Sequence, residues 1–104
     1  MRAVVYHPKV PAEVRAFVDH YDAISSDLGD LFWQELSEAI DYAREHPERH
    51  HFDRTGRRRG NLKRFPIHFL FRILPEVTGI TAIRPRRQEP GYGSTRRYEA
   101  KATV

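Results

Sequence analysis

The sequence predicts one α+β domain in which a helical hairpin packs on one face of a small, mainly antiparallel sheet. The chain has 104 residues, enough for one core and too few for two. Two stretches repeat apolar residues at helical spacing. Shorter stretches rich in β-branched and aromatic residues surround them and give the order β-α-α-β-β-β. Aromatic residues make up 12% of the chain, which argues against disorder.

The start of the chain predicts a strand followed by a helix. Residues 3–7 are mostly apolar, contain two valines and end at Pro8, which is typical of a short strand. From residue 10 to residue 24 the apolar positions are three or four apart, so they share one helix face. Pro11 is tolerated there because the first helical turn does not use its missing N–H.

A second helix is predicted over residues 28–46, where apolar residues again recur at helical spacing. Ser25 or Ser26 is the expected N-cap, and Pro47 disfavours helix at the residue before it. The short junction indicates a helical hairpin. Core packing is the expected role of the apolar stripe. Trp33 lies beside this stripe, so it either completes the core or anchors an interface.

The second half of the chain predicts three strands. We expect them at residues 61–65, 67–74 and 79–83, because these segments are rich in apolar, β-branched and aromatic residues. The polar segment 48–60 has no periodicity and is expected to be a loop. Residues 75–79 are expected to form the turn between the last two strands.

Alternation along these two strands separates two faces of the sheet. With Gly79 supplying a positive φ in the turn, Leu74 is expected to face Ile80. One face is then apolar and suited to covering by the helices; its residues are Ile67, Phe69, Phe71, Ile73 and Ile83. The other face is mixed and basic; its residues are His68, Leu70, Arg72, Ala82, Arg84 and Arg86.

Charge is divided unevenly along the chain. Residues 1–48 hold four basic and ten acidic residues, a net charge of −6, whereas residues 49–104 hold fourteen basic and four acidic residues, a net charge of +10. A basic half of this kind predicts an anionic partner, either nucleic acid, a nucleoprotein or an acidic protein segment. The alternative is a soluble protein with a solvated basic tail.

Four segments carry a resemblance to a known family. VVYHPKVPAEVRAFVDHY joins a strand to a first helix, and FWQELSEAIDYAREHPERH is a second helix followed by proline. RRGNLKRFPIHFLFRIL joins basic residues, Leu and Phe-Pro to an apolar strand, and GITAIRPRRQEPGYGSTR is a last strand followed by an Arg-Arg-acidic-Pro segment. In this order they resemble the ParE/RelE superfamily of toxins from bacterial type II toxin–antitoxin systems. The resemblance implies a toxin domain over residues 1–92 and a tail over 93–104 that is flexible or ordered by a partner.

The resemblance implies growth inhibition, a role in plasmid stabilisation, and a hetero-oligomer with a cognate antitoxin. ParE-like members poison DNA gyrase, whereas RelE-like members are ribosome-dependent endoribonucleases that cut mRNA. FPIHFLFRIL and RPRRQEPGYGSTR look more ParE-like, so gyrase is the preferred target. A basic binding domain of the same fold without toxicity is a further alternative.

The RelE-like alternative has its own candidate catalytic residues. Attack by the RNA 2′-OH needs a base, a proton donor and cations around the phosphate. His68 stands where RelE-like toxins often place a functional Arg, and a histidine titrates near pH 6.5. The alternative is a half-exposed strand histidine with no catalytic role. The full catalytic set implied by this resemblance is His68, Arg72, Arg86, Arg87 and Tyr92.

Binding to the target or the antitoxin is expected of a larger set: Arg57, Arg58, Arg59, Lys63, Arg64, Arg84, Arg96 and Trp33. No cofactor is expected, and the histidine spacings do not suit zinc because Pro47 separates His46 from His50. The absence of cysteine excludes disulfides and thiol catalysis. Together with the lack of an apolar run long enough for a bilayer span or a signal peptide, it fits a cytoplasmic protein.

Overall fold

The computed structural model describes residues 3–86 and confirms the α+β layout. Two helices pack on a four-stranded sheet of order β1-β4-β3-β2. β3 pairs antiparallel with both β2 and β4, and β1 lies parallel beside β4. The sheet is therefore mixed, with two of its three pairings antiparallel. The elements are β1 (Ala3–Tyr6), α1 (Val10–Ile24), α2 (Leu28–Glu45), a 3-10 turn (Pro47–Arg49), β2 (Arg58–Asn61), β3 (Ile67–Leu74) and β4 (Val77–Pro85).

The apolar stripes of α1 and α2 face the sheet, as their periodicity predicts. An aromatic cluster joins the two helices to the chain before β3. It contains Phe17 and Tyr21 from α1, Phe32 from α2 and Phe65, with ring centroids 4.8–5.7 Å apart. Phe32 and Phe65 are buried, and fully burying a large apolar side chain contributes about 1.5–3 kcal/mol. Within residues 3–86, neither helix combines the length and apolarity needed to span a membrane.

The junction between the helices differs from the predicted serine cap. Ser25 is the C-cap of α1, and Asp27 precedes α2 without a side-chain cap hydrogen bond. The Gly29 N–H instead donates to the Asp22 carboxylate at 3.1 Å. A Cβ atom on Gly29 would lie 2.1 Å from that carboxylate oxygen. The predicted serine N-cap is wrong, because the Asp22 carboxylate of α1 accepts the hydrogen bond from a backbone N–H in the first turn of α2.

Strand β2 precedes its predicted position at residues 61–65. The backbone N–H groups of Lys63 and Arg64 donate to the Glu35 carboxylate on α2, not to a neighbouring strand. This contact draws the chain out of the sheet after β2. Phe65 is buried in the core although it lies in a loop.

The turn between β3 and β4 is shorter than predicted. Leu74 pairs with Val77, so the predicted pairing of Leu74 with Ile80 is wrong. Only two residues connect the strands, and Glu76 rather than Gly79 has the positive φ, at 66°. The β-branched residues after Glu76 continue the strand, which places β4 two residues earlier than expected.

The pairing of β3 with β4 also contains an irregularity. The register shifts by one residue between Leu70 and Phe71, which leaves Thr81 as an extra residue on β4. This bulge lets both Ile80 and Ile83 join the core beneath the helices. The core face predicted for β3 is confirmed for Phe69 and Phe71, which are fully buried, whereas Ile73 is 38% exposed at the end of the strand.

Candidate binding face on the outer side of the sheet

The face of the sheet turned away from the helices carries most of the candidate residues. We call it the outer face. The register places Arg59 opposite Leu70, and Leu70 opposite Ala82. One row further along, Asn61, His68 and Arg84 lie side by side. Arg72 and Arg86 are exposed, as the sequence predicts for a basic face.

His68 and Arg84 depart from that prediction because both are buried, with 1% and 5% of their surface exposed. The Arg84 Nε–H donates to His68 Nε2 at 2.6 Å. An Nε2 atom that accepts a hydrogen bond carries no proton, so the neutral imidazole has its hydrogen on Nδ1. The Nδ1 atom is buried and has no hydrogen-bond partner within residues 3–86.

The surroundings of His68 hold it in the neutral form. Burial, and after it the positive charges of Arg59, Arg84 and Arg86, lower the pKa of His68 to about 4. Asp53 opposes the shift without cancelling it. The expectation that His68 is half-exposed is therefore wrong. In this conformation His68 is neither accessible to a substrate nor poised to exchange a proton near neutral pH.

Asp53 forms an ion pair with the buried Arg84. Its Oδ2 atom lies 3.0 Å from Arg84 Nη2, and the two side chains are only 7% and 6% exposed. The Thr55 backbone N–H donates to Oδ1 at 2.8 Å, and the Thr55 hydroxyl donates to the same oxygen. Burial would raise the pKa of Asp53, but the Thr55 bonds and the Arg84 charge outweigh burial and lower it. The carboxylate is therefore ionised at neutral pH.

The segment that carries Asp53, residues 51–57, folds back beside β2. Phe52 forms an antiparallel bridge with Arg58. The Asp53 N–H donates to the carbonyl of Arg57 at 2.7 Å, and the Arg59 N–H donates to that of His51 at 2.9 Å. We call this segment the strap. It lies within the region predicted only as a polar loop.

Sequence reasoning missed the role of Asp53. Two signals were present in the chain. Asp53 is the only acidic residue between residues 49 and 75, and it begins the sequence Asp-Arg-Thr-Gly, which is typical of a tight turn closed by an aspartate side chain. Neither signal identifies Arg84 as its partner, because the two residues are 31 positions apart.

Other arginines gather around this buried pair. The pKa of Arg57 is lowered by burial and then by the nearby charge of Arg72. Arg59 Nε donates to Asn61 Oδ1 at 2.8 Å. Arg86 Nη2 donates to the carbonyl of Leu62 at 3.2 Å. The outer face is therefore strongly positive. Among the ion pairs of residues 3–86, the one on this face is Asp53–Arg84.

Three predicted basic residues lie away from the outer face. Arg58 is used structurally, since its Nη1 donates to the carbonyls of Pro47 and His50 and its guanidinium lies 4.4 Å from the Phe52 ring centroid. Lys63 and Arg64 are exposed beside α2. The basic cluster predicted over residues 57–64 is thus divided between the sheet and the loop that follows it.

Trp33 lies on the opposite side of the molecule from the outer face. It is 54% exposed, so the interpretation that it completes the core is wrong. It lines an apolar groove of about 600 Å³ between α1, α2 and β1. Asp19, Arg15 and Asp41 also line the groove. Its apolar lining includes Tyr6, Val14, Val18, Leu36 and Ile40.

Three predicted site residues, Arg87, Tyr92 and Arg96, lie outside the described residues, as does the boundary expected between residues 92 and 93. Within residues 3–86, no three His, Asp or Glu side chains are grouped in a way that could hold a metal ion. No family model, curated protein or solved structure matches the chain.

Proposed function

We propose that this chain is the toxin of a type II toxin–antitoxin pair, that it acts in the cytoplasm, and that it inhibits growth in the ParE-like manner by binding DNA gyrase. Two features support the proposal. The β-α-α-β-β-β layout agrees with the one that the family resemblance implies. The sheet is covered by helices on one side and presents exposed Arg72 and Arg86 on the other, which suits an anionic or nucleoprotein target.

The state of His68 favours binding over RNA cleavage. A general base must reach the proton that it removes, and its pKa should lie near the working pH. His68 is 1% exposed, its Nε2 accepts from Arg84, and its pKa is lowered to about 4. The exposed arginines can hold a phosphate, but an arginine keeps its proton and cannot replace a base. A RelE-like mechanism would therefore need an acid–base group other than His68.

The groove beside Trp33 supports the proposed antitoxin contact. A helix with an apolar stripe is the partner that an apolar groove between two helices accommodates. An exposed tryptophan at such a groove is the residue type that most often dominates binding energy. Because the groove and the outer face lie on opposite sides of the sheet, we expect neutralisation and toxicity to depend on different residues.

The proposal is tested by inducing the chain with and without the product of the adjacent gene. Growth arrest with induction of the SOS response and intact mRNA is expected for the chain alone, and co-expression of the antitoxin should restore growth. Rapid mRNA cleavage without DNA damage would instead support the RelE-like alternative. A chain that is abundant and harmless on its own would contradict the toxin proposal and favour a non-toxic binding domain.

A further inference from the structure

The apolar groove beside Trp33 leaves hydrophobic surface uncovered. Its floor is formed by buried side chains of α2 and β4, namely Leu36, Ile40 and Ile83. Tyr6 and Trp33 also line the groove, but both are exposed. Covering apolar surface contributes about 25 cal/mol for each Å² removed from water, so an occupant of the groove would be stabilised by these two rings. An uncovered apolar patch with a polar rim is typical of a protein-binding surface.

The same surface holds both a cavity and a large exposed side chain. A twofold axis between two copies brings identical patches together, so the patch of a symmetric dimer must be complementary to itself. The groove and Trp33 meet this condition, since Trp33 of one copy can enter the groove of the other while the reverse contact forms at the same time. Tryptophan is one of the residue types that most often dominate the binding energy of an interface.

The charged residues on the α1 side of the groove have opposite signs. Arg15 and Asp19 both line the groove and are exposed. They are four positions apart, which places them one helical turn from each other on the same side of α1. The ion pairs found within residues 3–86 include neither of them. A partner segment that carries only one sign of charge would therefore attract one of these groups and repel the other.

A second copy of the chain matches both charges. When two α1 helices pass each other antiparallel across a twofold axis midway between positions 15 and 19, each Arg15 faces Asp19 of the other copy. Two equivalent ion pairs then form and fix the register of the helices. Asp41, the acidic residue on the α2 side of the groove, is already paired with Arg44 at 2.8 Å. The charge pattern of the groove therefore favours a second copy over an acidic or a basic segment.

We propose that the chain forms a twofold-symmetric homodimer through this groove, in which Trp33 of each copy packs into the groove of the other and reciprocal Arg15–Asp19 ion pairs set the register. The outer face lies on the opposite side of the sheet and stays accessible in this dimer. The inference goes beyond the proposed function, because self-association of the purified chain does not depend on the cellular target. Under the proposed function, the antitoxin helix and the second copy compete for the same groove.

Sedimentation equilibrium of the purified chain without antitoxin measures the dimer. We expect the wild type to change from monomer to dimer between about 1 μM and about 1 mM. Arg15→Asp and Asp19→Arg each place like charges opposite one another across the axis, so each variant alone should dimerise at least about tenfold more weakly. The first variant then has only acidic groups at these two positions, and the second has only basic groups. Their equimolar mixture should therefore form a heterodimer as readily as the wild type forms its homodimer.

Trp33→Ala tests the apolar part of the interface. It should dimerise at least about a hundredfold more weakly, because each dimer loses two tryptophan contacts. Leu31→Ala, at an exposed position of α2 outside the groove, should dimerise like the wild type. A wild type that is still monomeric at about 1 mM would overturn the proposal and leave the groove to another occupant, such as the antitoxin helix. Wild-type dimerisation of Trp33→Ala, or a mixture of the two charge variants that forms no heterodimer, would also overturn it. These measurements use purified protein, so their outcome is independent of whether the chain proves toxic in cells.

Discussion

His68 shows how neighbouring residues decide the chemistry of a side chain. Its sequence context predicts an accessible histidine on a basic face. In the folded chain, His68 is instead buried beside the Asp53–Arg84 ion pair. The exposure of Arg72 and Arg86 could be predicted, because alternation along a strand assigns their face. The burial of His68 and Arg84 could not, since it depends on a carboxylate far away in the sequence.

The lowered pKa of His68 predicts a pH dependence of stability. The unfolded chain should titrate near 6.5, whereas the folded pKa is about 4, so the unfolded state binds more protons between these values. The free energy of unfolding should therefore fall as the pH decreases from about 6.5 to about 4, by about 3 kcal/mol from this residue. Denaturant unfolding at a series of pH values measures this loss.

His68→Gln provides the comparison for this prediction. Glutamine keeps an acceptor for Arg84 but does not titrate, so the slope of stability with pH in this range should be clearly smaller in the variant. The lowered pKa of Asp53 does not confuse the measurement, because that carboxylate loses its contribution only as the pH falls below its usual range. An unchanged slope in His68→Gln would show that other groups cause the pH dependence.

At the scale of elements, periodicity predicted both helices well. The α-helix is the regular structure that brings apolar residues at spacings of three and four onto one face. Their ends depended on contacts between elements. Asp22 of α1 satisfies the start of α2, and Glu35 of α2 ends β2 by accepting from Lys63 and Arg64. Such contacts join residues that local sequence patterns treat separately, so the serine cap and the position of β2 were mispredicted.

The predicted turn and register of the β3–β4 hairpin were wrong for two local reasons. The turn places a positive φ on Glu76 although Gly79 is nearby, and the bulge at Thr81 changes the register in mid-strand. Neither feature follows from composition, since Glu is disfavoured at positive φ and a bulge needs no special residue type at Thr81. The prediction of which β3 side chains face the helices was nevertheless correct for Phe69 and Phe71, because alternation within β3 does not depend on the register with β4.

The positive φ of Glu76 predicts that the natural residue costs stability. Glu76→Gly should raise the free energy of unfolding by about 0.5–1 kcal/mol, because glycine adopts this conformation without a clash. Thermal unfolding measures the gain. Glu76→Gln is the matched control: it removes the charge but keeps the side chain, and it should give no comparable gain. Equal gains in both variants would attribute the effect to charge and contradict the backbone explanation.

The whole molecule separates two kinds of surface. The helical side holds the apolar groove, with Asp19 and Asp41 in its lining, whereas the outer face carries Arg59, Arg72 and Arg84. The division of charge was visible in the sequence. The groove was not, because it forms only where α1, α2 and β1 meet.

Trp33→Ala tests the groove as the antitoxin contact. Because Trp33 is already 54% exposed, the variant should fold and remain toxic. It should bind the antitoxin at least about tenfold more weakly, as expected for a tryptophan that becomes buried in the complex. The antitoxin should then no longer restore growth fully. Leu31→Ala, at an exposed position of α2 that does not line the groove, is the control. Equal antitoxin affinity in both variants and the wild type would place the contact elsewhere.

The central claim is that the arginine-bearing outer face contacts the target that stops growth. The most direct test induces the wild type, Arg72→Glu and Arg15→Glu in separate cultures without antitoxin. Arg72 is exposed on the outer face, and Arg15 is exposed on α1 on the helical side. Our account predicts growth arrest with the wild type and Arg15→Glu, and normal growth with Arg72→Glu at an equal level of folded protein. Growth arrest with Arg72→Glu as strong as with the wild type, or no arrest with any of the three, would contradict the account.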